Sequence, residues 1–89
     1  MLDLIKYIVE QFAEDKQNVE YTVNEKERVI EVMVTLSSTD MGKVIGKQGK
    51  IAKAMRTLVR AKTPANSKRY VVEIRERDGE GVDSDTAEE

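Results

Sequence analysis

The sequence predicts an α+β fold of two layers, in which three helices cover one face of a three-stranded sheet, in the order αββααβ. Three observations predict this fold. Apolar residues recur at helical spacing near the N-terminus and after residue 49, they alternate with polar residues in three other stretches, and two closely spaced glycines separate two helical patterns. The 89 residues are enough for one domain with one small core.

The first element is an amphipathic helix over residues 2–13. Its apolar stripe consists of five residues at helical spacing, which are Leu2, Ile5, Ile8, Val9 and Phe12. Such a stripe is typical of a helix that buries one side against a core.

Two alternating stretches follow, and they predict an antiparallel hairpin. In residues 18–23, three apolar residues alternate with polar ones, and a polar turn at residues 24–27 then leads into residues 28–36. There the inward face is predicted to hold Ile30, Val32, Val34 and Leu36. A short turn between two alternating runs is the usual mark of a hairpin.

The middle of the chain predicts two helices joined by a glycine turn. The segment SSTD at residues 37–40 offers side-chain oxygens that can cap a helix, and a short helix over residues 41–45 would end at Gly46. A second helix would begin after Gly49. Its predicted apolar face is Ile51, Ala54, Met55, Leu58 and Val59. Its predicted basic face is Lys50, Lys53, Arg56 and Arg60.

The last predicted strand covers residues 68–75, after a turn that contains the single proline, Pro64. Tyr70, Val72 and Ile74 would face inward. The domain is therefore predicted to span residues 1–77. Residues 78–89 are acidic and poor in apolar groups, and we expect them to form a disordered tail.

The charges are distributed unevenly. Residues 1–40 have a net charge of −5, residues 41–77 carry eleven bases against two acids, and the last twelve residues hold six acids and no base. The net charge of −2 therefore hides a basic segment centred on the glycine turn. Such a segment indicates an anionic partner.

Composition argues against several classes of function. The chain has no histidine and no cysteine, so the usual general base, the thiol nucleophile and the commonest zinc ligands are missing. We therefore expect no enzyme, no cofactor, no metal site and no small-molecule substrate. No apolar run approaches the roughly 18 residues of a membrane span and no signal peptide is visible, so a cytoplasmic protein without a membrane partner is expected.

The GKQG segment does not match the common phosphate-binding motifs. The P-loop pattern would require glycine at Lys47, and the dinucleotide pattern would require it at Val44. Two glycines do leave the backbone bare, next to the amino end of a helix and among lysines. This arrangement suits the sugar–phosphate backbone of a single-stranded nucleic acid.

The stretch VIGKQGKIAKAMR resembles the signature of KH domains, V-I-G-x-x-G followed by an amphipathic helix. The element order is similar to that of the type II form of the fold. The chain most resembles the KhpA-like family of small bacterial RNA-binding proteins with a single KH domain. The resemblance covers about residues 1–77 and is strongest over residues 40–60.

The resemblance implies a site for single-stranded RNA. Gly46, Lys47, Gln48 and Gly49 match the loop that clamps about four nucleotides. Val44 and Ile45 match the preceding aliphatic pair, with one residue expected in the core and the other on the groove floor. Many KH domains carry an aliphatic residue where this chain has Ala52, and residues 63–69 would form the far wall of the groove. Further candidate contacts are Lys43, Lys50, Ile51 and Lys53.

The resemblance also implies partners. Such proteins associate as homodimers or with a larger, multidomain KH protein, and an RNA chaperone or post-transcriptional regulator is the expected function. Alternatives remain open at the sequence level. The glycines are also compatible with a simple helix–helix turn, the basic residues with a solvated helix face, and the whole fold with a protein-interaction adaptor for which RNA binding is secondary.

Overall fold

The structure is a computed structural model that describes residues 1–77, 79, 82 and 83, without the side chains of Lys47, Gln48, Val82 and Asp83. Helix α1 spans Leu2–Phe12, and a short 3-10 turn spans Lys16–Asn18. The remaining elements in chain order are β1 (Glu20–Glu25), β2 (Val29–Leu36), α2 (Ser38–Lys62), β3 (Arg69–Glu76) and β4 (Val82–Asp83).

The strands form one mixed sheet in the order β1-β2-β3-β4. Strands β1 and β2 are antiparallel, which confirms the predicted hairpin. Strand β3 is parallel to β2, in a register that places Val32 beside Val72 and Val34 beside Ile74. A parallel neighbour requires a crossover connection, and α2 provides it.

The core lies between one face of the sheet and the helices. It holds Ile5, Val9, Ala13, Val32, Val34, Leu36, Met41, Val44, Ala52, Met55, Val59, Val72 and Ile74. The predicted inward residues of β2 and β3 are therefore confirmed, since Ile30 and Tyr70 are half-buried at the ends and the others are buried. The fold class, a two-layer α+β domain of the type II KH form, is confirmed.

Helix α2 contains both helices that the sequence predicts, joined in one element of 25 residues. It begins earlier than predicted because the Ser37 hydroxyl accepts a hydrogen bond from the amide of Asp40 and caps the first turn. Gly46 does not end it, and the expected stop there is wrong. Gly49 has a φ of +70°, which a right-handed helix does not adopt. The two helical stretches predicted around GKQG therefore meet at a bend at Gly49.

The buried stripe of the second stretch differs from the predicted one. Ala52, Met55, Arg56 and Val59 face the sheet, at the i, i+3, i+4 and i+7 positions of one helix face. Leu58 is 47% exposed, although it was predicted to be apolar core. Arg56 was predicted to lie on the basic face, and only 7% of it is exposed. The prediction for Arg56 is wrong because its guanidinium donates hydrogen bonds to a buried backbone carbonyl, as described below.

Strand β4 was not predicted. It pairs antiparallel with the end of β3, with Asp83 opposite Ile74 and Val82 opposite Arg75. It therefore adds two residues to the edge of the predicted three-stranded sheet. The prediction of a disordered tail concerns residues 78–89, which lie outside the described residues except for Gly79 and β4.

The turn between β1 and β2 is held against the start of β3. The Lys68 ammonium donates to Glu25 Oε2 and to the Lys26 carbonyl, both at 2.7 Å. The hydrogen bond from Lys68 to the Glu25 carboxylate, together with the positive charge of Lys68, lowers the pKa of Glu25. The Arg69 amide donates to the Arg28 carbonyl in the same region. These contacts fix the hairpin turn relative to residues 63–69.

Candidate nucleic-acid interface

The GKQG segment lies at the bend of α2, and its two glycines have different structural roles. Gly49 has a left-handed backbone, so the fold itself favours glycine there. Gly46 lies within the helical part of α2, and a Cβ added to it would meet no atom of the described residues within 4 Å, apart from its chain neighbours and the adjoining helix backbone. Neither the backbone conformation nor the packing of the described residues therefore requires glycine at position 46.

A shallow cavity opens beside this segment. It has a volume of about 350 Å³ and is lined by Gly42, Lys43, Gly46 and Ile51. The structure therefore brings three of the predicted site residues together on one surface. Ile51 is half-buried and packs against the core, so it presents a fixed apolar wall to this cavity.

The aliphatic pair before the loop divides between core and surface. Val44 is buried in the core, whereas Ile45 is 51% exposed. Val44 is therefore the residue of the pair that packs in the core, and the position of Ile45 on the groove floor stays a prediction. Many KH domains have an aliphatic residue where this chain has Ala52. Here Ala52 is buried in the core, and the neighbouring Ile51 lines the cavity.

Lys43 has partners within the chain. Its ammonium lies 2.8 Å from Glu14 Oε2 and donates to the Phe12 carbonyl at 3.1 Å. It also lies 3.8 Å from Oδ1 of the buried Asp40. The Lys43 side chain lines the cavity, but its ammonium group contacts residues at the end of α1. Lys43 therefore connects α1 to α2 and also borders the GKQG segment.

Asp40 is the centre of that junction, although its sequence context indicates only the start of a helix. Its buried carboxylate accepts hydrogen bonds from the backbone amides of Glu14 and Asp15, at 2.9 and 3.1 Å. These bonds satisfy amides just after α1, and they orient the first stretch of α2. No local sequence pattern indicates these hydrogen bonds, because Asp40 lies 26 residues from Glu14 and 25 residues from Asp15.

Two further predicted cations lie on the accessible side of α2. Lys50 and Lys53 are exposed in the turns that follow Gly49. The side chains of Lys47 and Gln48 lie outside the described part of the chain, so their predicted position at the tip stays a prediction.

Arg56 projects toward the sheet. Its Nε and Nη2 both donate to the Val72 carbonyl of β3, at 3.2 and 2.9 Å. The aliphatic stem lies in the core face of α2, and the guanidinium reaches a backbone acceptor. Arginine buries its stem in this way more readily than its charge suggests, and periodicity based on residue type alone does not detect it.

Among the described residues, no group of three or more histidine, cysteine, aspartate or glutamate side chains is arranged to hold a metal ion. Within the same residues, no helix combines the length and the apolar composition that crossing a membrane requires.

Known proteins resemble this chain over most of its length. The family model for the KhpA/KhpB KH domain matches residues 2–74. The RNA-binding protein KhpA of Listeria monocytogenes is 42% identical over 74 residues, which cover 83% of this chain and 97% of that protein. The proteins of the same name from Clostridium perfringens and Aquifex aeolicus are 40% and 35% identical over 83% of this chain, and over 99% and 94% of their own lengths. No solved structure matches the chain.

The sheet topology and the glycine bend between two helical stretches define a type II KH domain. The chain belongs to the KhpA/KhpB family of KH domains.

Proposed function

We propose that this chain binds single-stranded RNA, with the backbone of residues 46–49 clamping about four nucleotides. The observation that carries the proposal is the presence of glycine at position 46, in the helical part of α2. Glycine within a helix costs about 1 kcal/mol relative to alanine, and among the described residues no atom outside the adjoining helix backbone and the two chain neighbours lies within 4 Å of the place that a methyl group would take. A ligand that approaches the backbone closely accounts for glycine at this position.

The surroundings of the loop suit a strand with exposed bases. Lys47, Lys50 and Lys53 supply positive charge for phosphates. Ile45 and Ile51 offer apolar surface to the bases, since one is exposed and the other lines the cavity. Gln48 would supply an amide for a hydrogen bond to the strand. Val44 and Lys43 position the segment, through core packing and through the junction with α1.

The relatives support the nature of the ligand, because they are named RNA-binding proteins. A groove for about four nucleotides carries little sequence information. We therefore propose an RNA chaperone or a post-transcriptional regulator that gains specificity by association. A second copy of this chain, or a larger multidomain KH protein, would add a second groove on the same RNA.

The proposal predicts a preference for single strands. We expect a single-stranded RNA to bind at least about tenfold more tightly than a duplex of the same sequence, because paired bases cannot enter the groove. We further expect the logarithm of the association constant to fall with the logarithm of salt concentration with a slope of about −1.4 to −2.8, for about two to four phosphate contacts. Fluorescence anisotropy at several salt concentrations measures both. Equal affinity for the duplex would contradict the proposal.

A further inference from the structure

Strand β4 determines where the acidic end of the chain leaves the sheet. Residues 78–89 hold six acids and no base. Within them, β4 pairs antiparallel with the end of β3 and places Asp83 opposite Ile74. Because β4 is the last strand in the sheet order, it lies on the side of β3 that faces away from β2. Residues 84–89 start from this edge, and we call them the acidic tail.

The second stretch of α2 begins beside the same edge. Arg56 Nη2 donates to the Val72 carbonyl at 2.9 Å, and the carboxyl end of α2 lines one cavity with the first residues of β3. The helix therefore runs antiparallel to the strand. Lys53 and Lys50 lie about 4.5 and 9 Å before Arg56 along the helix axis. Ile74 lies about 7 Å beyond Val72 along the strand. The two lysines are thus on the part of α2 nearest to β4.

These two lysines have no ion-pair partner among the described residues. Both side chains are exposed, and none of the ion pairs between described residues involves Lys50 or Lys53. Lys43 differs from them, because it is paired with the end of α1. Residues 41–72 contain no aspartate or glutamate, so the sequence around the lysines offers no negative charge. Charge complementarity therefore favours the acidic tail as their partner.

The acidic tail is long enough to reach these lysines. Its acids are Asp85, Glu88 and Glu89, and its six residues span about 20 Å when extended. Single contacts between exposed charges are weak. Attachment to β4 raises the effective concentration of the tail to about the millimolar range, so weak contacts are enough to populate a bound state.

The matched relatives have little length outside the KH domain, whereas this chain has more. The KhpA proteins of Listeria monocytogenes and Clostridium perfringens have 97% and 99% of their lengths inside the match, compared with 83% of this chain. The family model ends at residue 74. The acidic segment is therefore an addition to the family's domain. Its charge is opposite to that of the proposed RNA site, which suits a regulatory role.

We propose that the acidic tail lies against Lys50 and Lys53 in the absence of RNA and competes with RNA phosphates for them. The tail carboxylates take the place of phosphate oxygens, so a strand displaces the tail when it contacts these lysines. The tail therefore weakens RNA binding at low salt, and the effect fades as salt screens the charges. The inference rests on the proposed function, because it adds regulation to the same RNA site.

The test neutralises the acidic tail without shortening it. Asp85→Asn with Glu88→Gln and Glu89→Gln removes three negative charges and leaves β4 unchanged. At about 100 mM salt, we expect the affinity for a single-stranded RNA of about four nucleotides to rise about fivefold or more. The salt slope should increase in magnitude by about 1, because RNA no longer replaces the tail at the lysines. Near 500 mM salt, where the Debye length is about 4 Å, the gain should fall below about twofold.

The matched control is Asp3→Asn with Glu10→Gln and Glu27→Gln, which removes three exposed negative charges outside the tail. We expect its affinity for RNA to rise less than about twofold through the general field, with an unchanged salt slope. A second measurement needs no RNA. The amide chemical shifts of Lys50 and Lys53 should differ between the tail variant and the full chain, and they should stay the same in the control.

The inference is wrong if the tail variant binds RNA no better than the full chain, or if the control gains as much affinity. It is also wrong if neutralising the tail leaves the amide shifts of Lys50 and Lys53 unchanged. The proposed function fails separately, when Lys47→Asp with Gln48→Asp leaves the RNA affinity intact, and the chemical shifts still test the tail in that case. Circular dichroism on each variant verifies that the fold persists.

Discussion

Replacing Lys47 and Gln48 together with aspartate is expected to lower the affinity for single-stranded RNA by at least about tenfold while the fold persists. The substitution exchanges one positive charge for two negative charges between Gly46 and Gly49. A phosphate held against this backbone would then meet two carboxylates, and like-charge contact in a binding site costs several kcal/mol. Fluorescence anisotropy with a short oligonucleotide measures the loss.

The chain contains its own matched control for this experiment. The same dipeptide, Lys16 followed by Gln17, lies exposed in the 3-10 turn after α1. Lys16→Asp with Gln17→Asp changes the net charge of the protein by the same amount at a different place. We expect this control to weaken binding less than about threefold through the general field alone. Equal losses in the two double variants would show that net charge, and not the loop, controls binding.

The two loop glycines are expected to respond to alanine in opposite ways. Gly49→Ala places a side chain at a φ of +70°, which costs about 1–2 kcal/mol, so the free energy of unfolding should fall by that amount. Gly46→Ala adds a methyl group to a helical position with open space around it, and the free energy of unfolding should stay equal or rise by up to about 1 kcal/mol. Urea denaturation separates the two effects.

The same Gly46→Ala variant should bind RNA at least about fivefold more weakly, because its methyl group occupies the space needed for close approach of the strand. A protein that becomes more stable and binds less well is the expected outcome. If Gly46→Ala retains full affinity, the bare backbone at this position is not used for binding. If Gly49→Ala loses no stability, the bend of α2 does not depend on the left-handed conformation.

The faces of β2 and β3 were predictable from sequence because alternation maps directly onto the two sides of a sheet, whereas in β1 the alternating Val23 is 50% exposed. Val32, Val34 and Leu36 in β2, and Val72 and Ile74 in β3, are buried as their spacing predicts. The glycine bend was predictable as well, since a pair of glycines between two amphipathic stretches has few structural explanations. The location of the bend at Gly49 was not predictable, and neither was the helical conformation of Gly46.

Features that depend on contacts between distant residues were not predictable. Arg56 has the composition of a surface residue, and only the Val72 carbonyl, 16 residues away, explains why it is buried. Asp40 stabilises the junction with α1 through amides that no local pattern marks. Strand β4 pairs with β3 from a segment whose composition favours disorder.

The most direct test of the central claim is amide chemical-shift mapping during titration with a short single-stranded RNA. The central claim is that the exposed backbone of residues 46–49 is the surface that holds the strand. The largest shifts are expected at the amides of these four residues, with smaller ones at Lys50 and Ile51 beside the cavity. Saturable binding that leaves residues 46–49 unperturbed, with the shifts instead in β2 and β3 around the cavity lined by Met33 and Val71, would contradict the account.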